Sequence, residues 1–234
     1  MVCANIIIIF EAKIKRKELF KENNLDIKDL KGTHIIAGRE GGMPAMTLQY
    51  ILEQKGLKPG AELGENCDVV LDTTIAFNLT TSSFVAGTGD YCTMFEPTAS
   101  QCEIDNTGHI VAALGDEVSD IPYTCFVATA NYLNKNGNKL DKFMTALKKG
   151  YNYLTTSTDA KIIEALKPSF NTTSDALILA AVKNYMRIGA YASNFVLKES
   201  SWNKMLDIID CAGELKNRVD WNEAVNTSFA LKVA

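Results

Sequence analysis

A glycine-rich turn at residues 38–44 carries the clearest ligand-binding chemistry in the sequence. It has the sequence Gly-Arg-Glu-Gly-Gly-Met-Pro and joins a predicted strand, Thr33–Ala37, to a predicted helix, Pro44–Gln54. Glycines let the backbone come close to a ligand, and the first turn of a helix presents free N–H groups with positive dipole character. The turn is therefore a candidate site for an anionic or polar ligand. A plain tight turn explains the same residues, and neither Gly-Lys-Ser/Thr nor GxGxxG follows to indicate a nucleotide loop.

Two further segments place polar side chains where a ligand could contact them. Glu96 follows the predicted strand Asp90–Phe95, at the edge where open α/β sheets bind ligands. It could accept hydrogen bonds from a ligand, or it could cap the helix that begins at Pro97. Tyr123 and Thr124 lie where the alternation of strands and helices stops. They could line a cleft, with Tyr123 offering a stacking face and a hydroxyl, or belong to a buried crossover strand.

The sequence offers little for catalysis or metal binding. No Gly-x-Ser-x-Gly motif occurs, and the two histidines, His34 and His109, lie far apart, although a Cys92–His109 pair stays open. The six cysteines form no CxxC pair, and we interpret them as buried free thiols rather than as a disulfide or metal framework. They are Cys3, Cys67, Cys92, Cys102, Cys125 and Cys211. We predict no catalytic residue, no metal and no cofactor.

Composition and charge narrow the class of protein. The 234 residues, 47% of them hydrophobic, suffice for one large domain or two lobes that share a hinge. A net charge of −4 gives no positive surface for nucleic acid. No run approaches the roughly 18 apolar residues of a membrane-spanning helix. The short apolar run Ile6–Phe10 has neither a basic flank nor a cleavage site, so we predict a buried strand and not a signal peptide.

The elements predicted before residue 120 alternate between strand and helix. The strands are Thr33–Ala37, Cys67–Leu71, Asp90–Phe95 and His109–Leu114, and the helices are Pro44–Gln54, Ile75–Val85 and Pro97–Glu103. Such alternation predicts βαβ units in a mostly parallel sheet.

After Ile121 the pattern changes to one strand followed by helices. The strand is Pro122–Thr129, and the helices are Asn131–Asn134, Leu140–Leu154, Ala160–Leu166, Ser174–Gly189, Ser200–Ala212 and Trp221–Leu231. These helices need a sheet to cover, and only the strands Ile6–Phe10 and Tyr123–Ala128 are left to supply one. Two strands make a marginal sheet, so the sequence predicts a lobe without its founding strands.

Three segments in this order resemble one known family. They are GREGGMPAMTLQYILEQKGLKPG, GTGDYCTMFEPTASQCE and IPYTCFVATANYLNKNGNKLDKFMTALKKGYNYL. Together they resemble the periplasmic-binding-type family that includes sulfonate, taurine and nitrate binding proteins and thiamine-pyrimidine binding proteins. The resemblance runs from about Asp29 to the C-terminus, where Ala212-Gly213-Glu214-Leu215 also fits. It is specific for the family and not for a ligand.

The resemblance implies an α/β fold, the two-lobed clamshell of type II periplasmic binding proteins. It also implies the substrate-binding component of an ABC importer, which captures a small solute in an interlobe cleft. The solute would be a sulfonate, a nitrate-like anion or a thiamine-pyrimidine-like heterocycle, and the partners would be the ABC permease and its ATPase. We predict a crossing strand and connector at residues 1–31, lobe two at 32–120, and the return strand with the C-terminal helices of lobe one at 121–234.

The resemblance also transfers ligand-binding positions to this chain. The helix-start loop supplies most of them, Asn78 and Glu96 match the next two strand ends, and the return strand supplies two more. The predicted positions are Arg39, Gly41, Gly42, Met43, Pro44, Thr47, Asn78, Glu96, Tyr123 and Thr124.

The chain departs from the family pattern at its front, where Glu11–Asn24 matches poorly. A complete member has a leader and most of lobe one before the crossing strand, so we expect the N-terminal part of lobe one to be absent. A complete member works outside the cytoplasm, in the periplasm or as a cell-surface lipoprotein. This chain, without a leader or lipid anchor, is expected to stay cytoplasmic as written and to self-associate through its incomplete lobe.

Two alternative functions use the same fold. One is an enzyme similar to thiamine-pyrimidine synthases, whose cysteine-rich run has only Cys125 as a counterpart here. The other is a ligand-sensing regulatory domain, although no DNA-binding helix-turn-helix segment is attached to this chain.

Overall fold

A computed structural model describes residues 25–118 and 121–234 in full, together with the backbone of residues 2–3 and 7–11. The chain divides into two compact units. We call Asn5–Ser119 with Leu206–Lys216 the sheet unit, and Met1–Ala4, Asp120–Met205 and Asn217–Ala234 the helical unit. The structure thus groups Leu206–Lys216 with the sheet unit, whereas the predicted boundary places these residues in the other lobe.

The sheet unit is built around a six-stranded sheet. In chain order the strands in the described part of the chain are β1 (Val2–Cys3), β2 (Ile7–Glu11), β3 (His34–Ile36), β4 (Pro59–Gly60), β5 (Val69–Asp72), β6 (Tyr91–Met94), β7 (Gly108–Ala113) and β8 (Pro122–Thr124). The sheet has the order β4-β5-β3-β6-β2-β7. Strands β4, β5, β3 and β6 pair in parallel, and β2 runs antiparallel to both β6 and β7. Five strands therefore share one direction, and the predicted mostly parallel α/β sheet is confirmed.

The strand β2 corrects one expectation from the sequence. Ile6–Phe10 was expected to supply a sheet for the C-terminal helices, but Ile7–Glu11 pairs with Tyr91–Met94 and Gly108–Ala113 inside the six-stranded sheet. The expectation was wrong because a continuous apolar run is typical of a central strand with both faces covered. The predicted connector at residues 12–24 lies outside the described residues.

Helices α1 to α4 flank this sheet. They are α1 (Met43–Gln54), α2 (Thr80–Val85), α3 (Thr98–Ile104) and α4 (Leu114–Val118), with short 3-10 helices at Ile27–Leu30 and Phe77–Leu79. Apolar residues at helical spacing place one face of α1 in the core, where Leu48, Ile51 and Leu52 are at most 2% exposed. The helix ends at Gln54 because Gly56 follows with a φ of +80°, a conformation that favours glycine.

The segment Leu206–Lys216 packs on α1. The side chain of Gln49 donates a hydrogen bond to the carbonyl oxygen of Cys211 at 3.3 Å, and the Cys211 thiol donates one to a Glu53 carboxylate oxygen at 3.1 Å. Burial and the neighbouring Glu53 charge raise the pKa of the Cys211 thiol to about 12. These contacts attach a segment late in the sequence to the first helix of the sheet unit.

The helical unit contains most of the remaining helices. They are α5 (Ala130–Lys135), α6 (Gly137–Thr156), α7 (Asp159–Leu166), α8 (Asp175–Arg187), α9 (Glu199–Cys211, whose end belongs to the sheet unit) and α10 (Trp221–Ala224). Ser174 caps α8 as its sequence indicates, since its hydroxyl accepts a hydrogen bond from the Leu177 N–H at 3.2 Å. Among the described residues, no helix is both long enough and apolar enough to span a membrane.

Two elements of this unit are shorter than predicted. The helix expected over Trp221–Leu231 ends at Ala224, because the Asn226 side chain accepts hydrogen bonds from the N–H and hydroxyl of Ser228 and favours a turn. The strand expected over Pro122–Thr129 is paired only at Pro122–Thr124. Its partner β1 has two residues, so pairing ends there.

Candidate functional site

The carboxyl ends of three neighbouring parallel strands form the candidate site. The order β5-β3-β6 brings three following segments to one edge of the sheet: Thr73–Asn78 after β5, Gly38–Gly42 with the start of α1 after β3, and Phe95–Glu96 after β6. We call these segments the strand-end surface. Open α/β sheets bind ligands at this edge.

The Gly38–Gly42 turn has a backbone that requires glycine. Gly38 and Gly41 have φ values of +92° and +64°, in the left-handed region. The Gly42 N–H donates a hydrogen bond to the Arg39 carbonyl at 3.0 Å, which closes the turn. A Cβ atom on Gly42 would lie 2.9 Å from that carbonyl oxygen, closer than side chains come in practice. The turn is thus held tightly against the start of α1.

The start of α1 presents free hydrogen-bond donors. Gly42, the N-cap residue, has no side chain to cap the helix, and its carbonyl accepts the Met46 N–H at 3.0 Å. Pro44 has no N–H, and no described residue accepts a hydrogen bond from the N–H of Met43 or Ala45. No acidic side chain occupies the first turn. Free N–H groups and the helix dipole together favour an anion here.

Arg39 adds a positive charge beside these donors. Its side chain lies over the turn, with Cγ 3.1 Å and Nε 3.7 Å from the position that a Cβ on Gly42 would take. Arg39 is exposed and forms no ion pair with a residue that the structure describes. A guanidinium beside open helix N–H groups is well suited to a carboxylate or sulfonate.

Glu96 caps α3. The backbone N–H of Ser100 donates to one Glu96 carboxylate oxygen at 3.1 Å, and the Ser100 hydroxyl donates to the other at 3.0 Å. Of the two roles that the sequence left open for Glu96, helix capping is therefore present in the structure. The half-buried carboxylate is fixed at the edge of the strand-end surface.

Two aromatic rings lie at the same edge. Phe77 follows β5 and Phe95 follows β6, and their ring centroids are 6.3 Å apart at an interplanar angle of 51°. Because β5 and β6 flank β3, this pair spans the end of β3. The Phe77 side chain is 56% exposed. Phe77 is absent from the predicted site because its segment was assigned to an amphipathic helix, and its single usable signal was an aromatic residue just after a strand.

Asp72 fixes the segment that carries Phe77. Its carboxylate accepts hydrogen bonds from the Thr74 N–H at 2.9 Å and the Thr74 hydroxyl at 2.7 Å, and lies 3.3 Å from Nε2 of His34. Burial acts to raise the pKa of Asp72, but the hydrogen bonds from Thr74 and the contact with His34 outweigh it and lower the pKa below 3.8. The ionised carboxylate therefore holds the turn after β5.

The other predicted ligand-binding residues differ in burial and in the unit to which they belong. Asn78 is exposed in its 3-10 helix at the β5 end, and Met43 is half-buried. Thr47 is fully buried one turn into α1, and its hydroxyl has no hydrogen-bond partner among the described residues. Tyr123 and Thr124 are exposed on β8, which belongs to the helical unit.

The structure thus groups most of the predicted positions but not all of them. One turn contains five of them: Arg39, Gly41, Gly42, Met43 and Pro44. Asn78 and Glu96 lie after the two neighbouring strands, while Thr47 lies in the core beneath α1.

A cavity of about 220 Å³ opens beside the turn, within the sheet unit. Its polar lining comes from Glu40, Gln49, Thr73 and Glu214, and a Cβ on Gly41 would lie 3.3 Å from a Glu214 carboxylate oxygen. Neither carboxylate forms an ion pair with a described residue. The sequence did not identify Glu214 as a site residue because it lies about 170 residues after the turn.

The described cysteines show no sign of catalytic or metal chemistry. Cys92 and Cys102 are buried free thiols, but Cys125 is exposed and Cys67 and Cys211 are half-buried, so uniform burial was a wrong expectation. Strand β2 lies between Cys92 and His109, which separates them by roughly 10 Å. Burial also raises the pKa of the Cys92 thiol to about 12. No group of three metal-ligating side chains occurs in the described part of the chain.

The fold of the described residues is that of the type II periplasmic binding proteins. The alkanesulfonate-binding protein SsuA of Xanthomonas axonopodis pv. citri, solved with bound MOPS, matches at a TM-score of 0.63 and 16% identity, over 93% of this chain and 71% of that one. The ligand-binding component of an ABC-type import system of Staphylococcus aureus, solved with bound zinc, matches at a TM-score of 0.65 and 13% identity. The match covers 100% of this chain and 72% of that one. The predicted fold class is therefore confirmed.

Residues 6–166 match the NMT1-like family, and the chain belongs to that family. A curated relative, YtlA of Bacillus subtilis (strain 168), is 33% identical over 210 residues, which are 90% of this chain and 61% of the relative. The chain therefore spans about three fifths of that relative's length. The resemblance to solute-binding proteins of this type, inferred from three sequence segments, is confirmed.

Proposed function

We propose that the chain is the substrate-binding component of an ABC importer and captures a small organic anion at the strand-end surface. One observation carries the proposal: Arg39, which forms no ion pair with a described residue, lies over a helix start where the N–H groups of Met43 and Ala45 also have no acceptor among those residues. A carboxylate or sulfonate would accept hydrogen bonds from both kinds of donor. The match to a sulfonate-binding protein supports the same class of solute.

The aromatic pair narrows the kind of anion. Phe77 and Phe95 offer an apolar surface beside the turn, and more than half of the Phe77 side chain is open to solvent. An anion with a short alkyl or aryl group would bury that group there, at roughly 25 cal/mol per Å² of apolar surface. We therefore favour an organic sulfonate or carboxylate over nitrate.

A second ligand class, a thiamine-pyrimidine-like heterocycle, is supported by a different observation. Glu40 and Glu214 line the cavity beside the turn without ion pairs to described residues. Their carboxylates could accept hydrogen bonds from an amino group on a flat ring. This candidate predicts dependence on Glu214 rather than on Arg39.

Binding measurements with two variants distinguish the two classes. We expect isothermal titration calorimetry to show binding of an alkyl- or arylsulfonate, and Arg39→Gln to weaken it about tenfold or more, since hydrogen bonds to charged groups contribute about 1.5–3 kcal/mol. Arg187→Gln, at the end of α8 in the helical unit, is the matched control and should leave the dissociation constant unchanged.

The same titration with a 4-aminopyrimidine and Glu214→Gln tests the heterocycle. Loss of its binding in Glu214→Gln, with sulfonate binding absent from the unaltered protein, would replace the anion proposal by the heterocycle. No binding of either class would overturn both.

The proposed role also implies partners and a location. A protein of this kind delivers its solute to an ABC permease and its ATPase and works outside the cytoplasm. The name of one solved structure, the periplasmic aliphatic sulphonate binding protein SsuA of Escherichia coli, gives a periplasmic location for that protein. That structure matches at a TM-score of 0.58 and 15% identity, over 94% of this chain and 65% of that one. We propose binding without chemical conversion, and recovery of the solute unaltered from the complex is the result that checks it.

A further inference from the structure

The two units of the chain carry net charges of opposite sign. The helical unit has 13 lysines and arginines against 8 aspartates and glutamates, a net charge of +5, while the sheet unit has 11 against 20, a net charge of −9. The overall charge of −4 therefore conceals an excess of positive charge in one unit. Such asymmetry is typical of proteins that bind an anionic partner with one part of the chain.

Four exposed lysines of the helical unit form a row along α6 and the start of α7. Lys139, Lys142 and Lys149 recur three and seven residues apart, which places them along one side of α6. Tyr153 follows on the same side, four residues after Lys149, and its hydroxyl donates a hydrogen bond to the Lys161 carbonyl at 3.2 Å. This contact brings Lys161 beside the same end of α6. We call the four lysines the lysine surface.

No ion pair with a described residue neutralises the lysine surface. The aspartates of α6, α7 and α8 are already paired with other lysines, and Glu164 of α7 is the one other carboxylate on these three helices. The pairs are Asp141 with Lys232 at 2.7 Å, Asp159 with Lys183 at 2.6 Å and Asp175 with Lys167 at 2.7 Å. Positive charge therefore remains in excess along this row.

We propose that the lysine surface binds the anionic headgroups of a phospholipid bilayer, so that the helical unit rests on a membrane without entering it. An anionic lipid surface favours binding by roughly fivefold for each lysine beside it. The row extends roughly 21 Å along α6 from Lys139 to Tyr153, at 1.5 Å per residue, so several headgroups can contact it at once. The inference is independent of the identity of the solute and of the proposed function.

A fluid lipid surface fits this row better than an acidic protein or a nucleic acid. All four cations are lysines, which are point charges on flexible stems, whereas arginine is preferred where a fixed phosphate or carboxylate is bound by two hydrogen bonds. Tyr153 lies in the same row and is 44% exposed. Tyrosine combines an apolar ring with a polar hydroxyl and is enriched at membrane interfaces.

Sedimentation of the full chain with lipid vesicles tests the proposal. We expect binding to vesicles made of equal parts of phosphatidylcholine and phosphatidylglycerol, and none to vesicles of phosphatidylcholine alone. Binding should fall at least tenfold between about 0.05 and 0.5 M salt, because salt shortens the range of the attraction. No binding to the mixed vesicles, or equal binding to both kinds, would overturn the proposal.

Two matched triple variants locate the contact. The variant with Lys139→Gln, Lys142→Gln and Lys149→Gln should bind the mixed vesicles about a hundredfold more weakly, at roughly fivefold for each lysine. These positions are exposed and glutamine favours helix, so the circular dichroism spectrum should not change. The control removes the same charge from exposed positions of the sheet unit and should weaken binding by no more than about threefold. It carries Lys28→Gln, Lys58→Gln and Lys216→Gln. An equal loss in both variants would reveal a response to net charge alone and overturn the proposal.

Arginine at the same three positions of α6 separates charge from local structure. The triple variant with Lys139→Arg, Lys142→Arg and Lys149→Arg keeps every charge, so its vesicle binding should stay within about threefold of that of the unaltered chain. A loss as large as that of the glutamine variant would show that positive charge does not hold the chain on the vesicle, and the proposal would fail.

Other occupants of the lysine surface give different results. Binding to double-stranded DNA or to a polyglutamate peptide, without binding to the mixed vesicles, would assign the surface to a soluble polyanion and overturn the proposal. Binding to phosphatidylcholine vesicles that resists salt and is unchanged in the glutamine variant would indicate an apolar contact with the membrane elsewhere on the chain, which overturns the proposal as well.

Discussion

Gly42 shows at the scale of one residue how the candidate site depends on the absence of a side chain. Its N–H closes the turn onto the Arg39 carbonyl, and its carbonyl begins the hydrogen-bond ladder of α1. The space above it holds the Arg39 side chain, with Cγ only 3.1 Å from where a Cβ would lie. One glycine therefore sets both the backbone of the turn and the position of the neighbouring cation.

Gly42→Ala should disturb the site and the stability together. The added Cβ would be 2.9 Å from the Arg39 carbonyl oxygen, so the backbone must shift, at a cost of about 1–3 kcal/mol. Urea unfolding measures this loss, and sulfonate affinity should fall in the same variant. Gly64→Ala is the control, because no atom lies within 4 Å of its Cβ position. Equal stability of the two variants would show that the turn tolerates a side chain.

At the scale of elements, the residues at the ends of the strands shape the candidate site more than the residues in the middle of the strands. Asp72, the last residue of β5, binds the N–H and hydroxyl of Thr74 and thereby shapes the segment that leads to Phe77. Glu96 likewise accepts hydrogen bonds from the N–H and hydroxyl of Ser100 at the start of α3. Carboxylates at strand ends thus hold the connecting segments in place beside the glycine-rich turn.

Asp72→Asn should reduce stability in a pH-dependent way. The pKa of Asp72 is lower in the folded protein than its ordinary 3.8, so its ionised form stabilises the fold above that pH, and the contribution disappears as pH falls through the folded value. We expect a loss of about 1 kcal/mol at pH 7 that becomes smaller as pH falls below 3.8 through the lowered pKa of Asp72. Urea unfolding measured over a series of pH values checks this. Asp116→Asn, at an exposed position, is the control, and a loss independent of pH would contradict the assignment.

The sequence predicted the elements around the turn better than those far from it. Strand β3, helix α1 and the turn between them follow from Gly, Pro and a clear 3.6-residue period, so local signals suffice there. The sequence placed Ile7–Glu11 in the wrong sheet because the choice of strand partners depends on contacts distant in sequence. The same limitation concealed Glu214, which reaches Gly41 only in the folded chain.

At the scale of the whole molecule, the two units differ in how much core each contains. Most of the fully buried large side chains among the described residues, including Tyr91, Phe84 and Leu48, belong to the sheet unit, whereas Ile121 is one in the helical unit. The helical unit buries fewer apolar residues, among them Ile162, Leu177 and Val182, and includes the 20-residue α6 without a buried residue. Local stability follows the density of buried apolar contacts, so the units should differ in stability.

Hydrogen exchange measured by mass spectrometry should resolve this difference. We expect amides of α6 to exchange at least tenfold faster than those of α1 in the chain alone, because α1 is packed into the core and α6 is not. Amides of β3 and β6 should be the slowest. Uniform protection of α1 and α6 would show that something covers α6 in the isolated chain.

The return of Leu206–Lys216 to α1 has a consequence for the order of events during synthesis. The sheet unit is discontinuous in sequence, and its contacts from Gln49 and Glu53 to Cys211 join residues about 160 positions apart. A nascent chain that grows at ~5–20 residues per second would complete α1 roughly 8–30 seconds before Cys211 is added. Residues Asp120–Met205 of the helical unit are translated in that interval, so the sheet unit, although most of it is made first, is completed only after most of the helical unit has been translated.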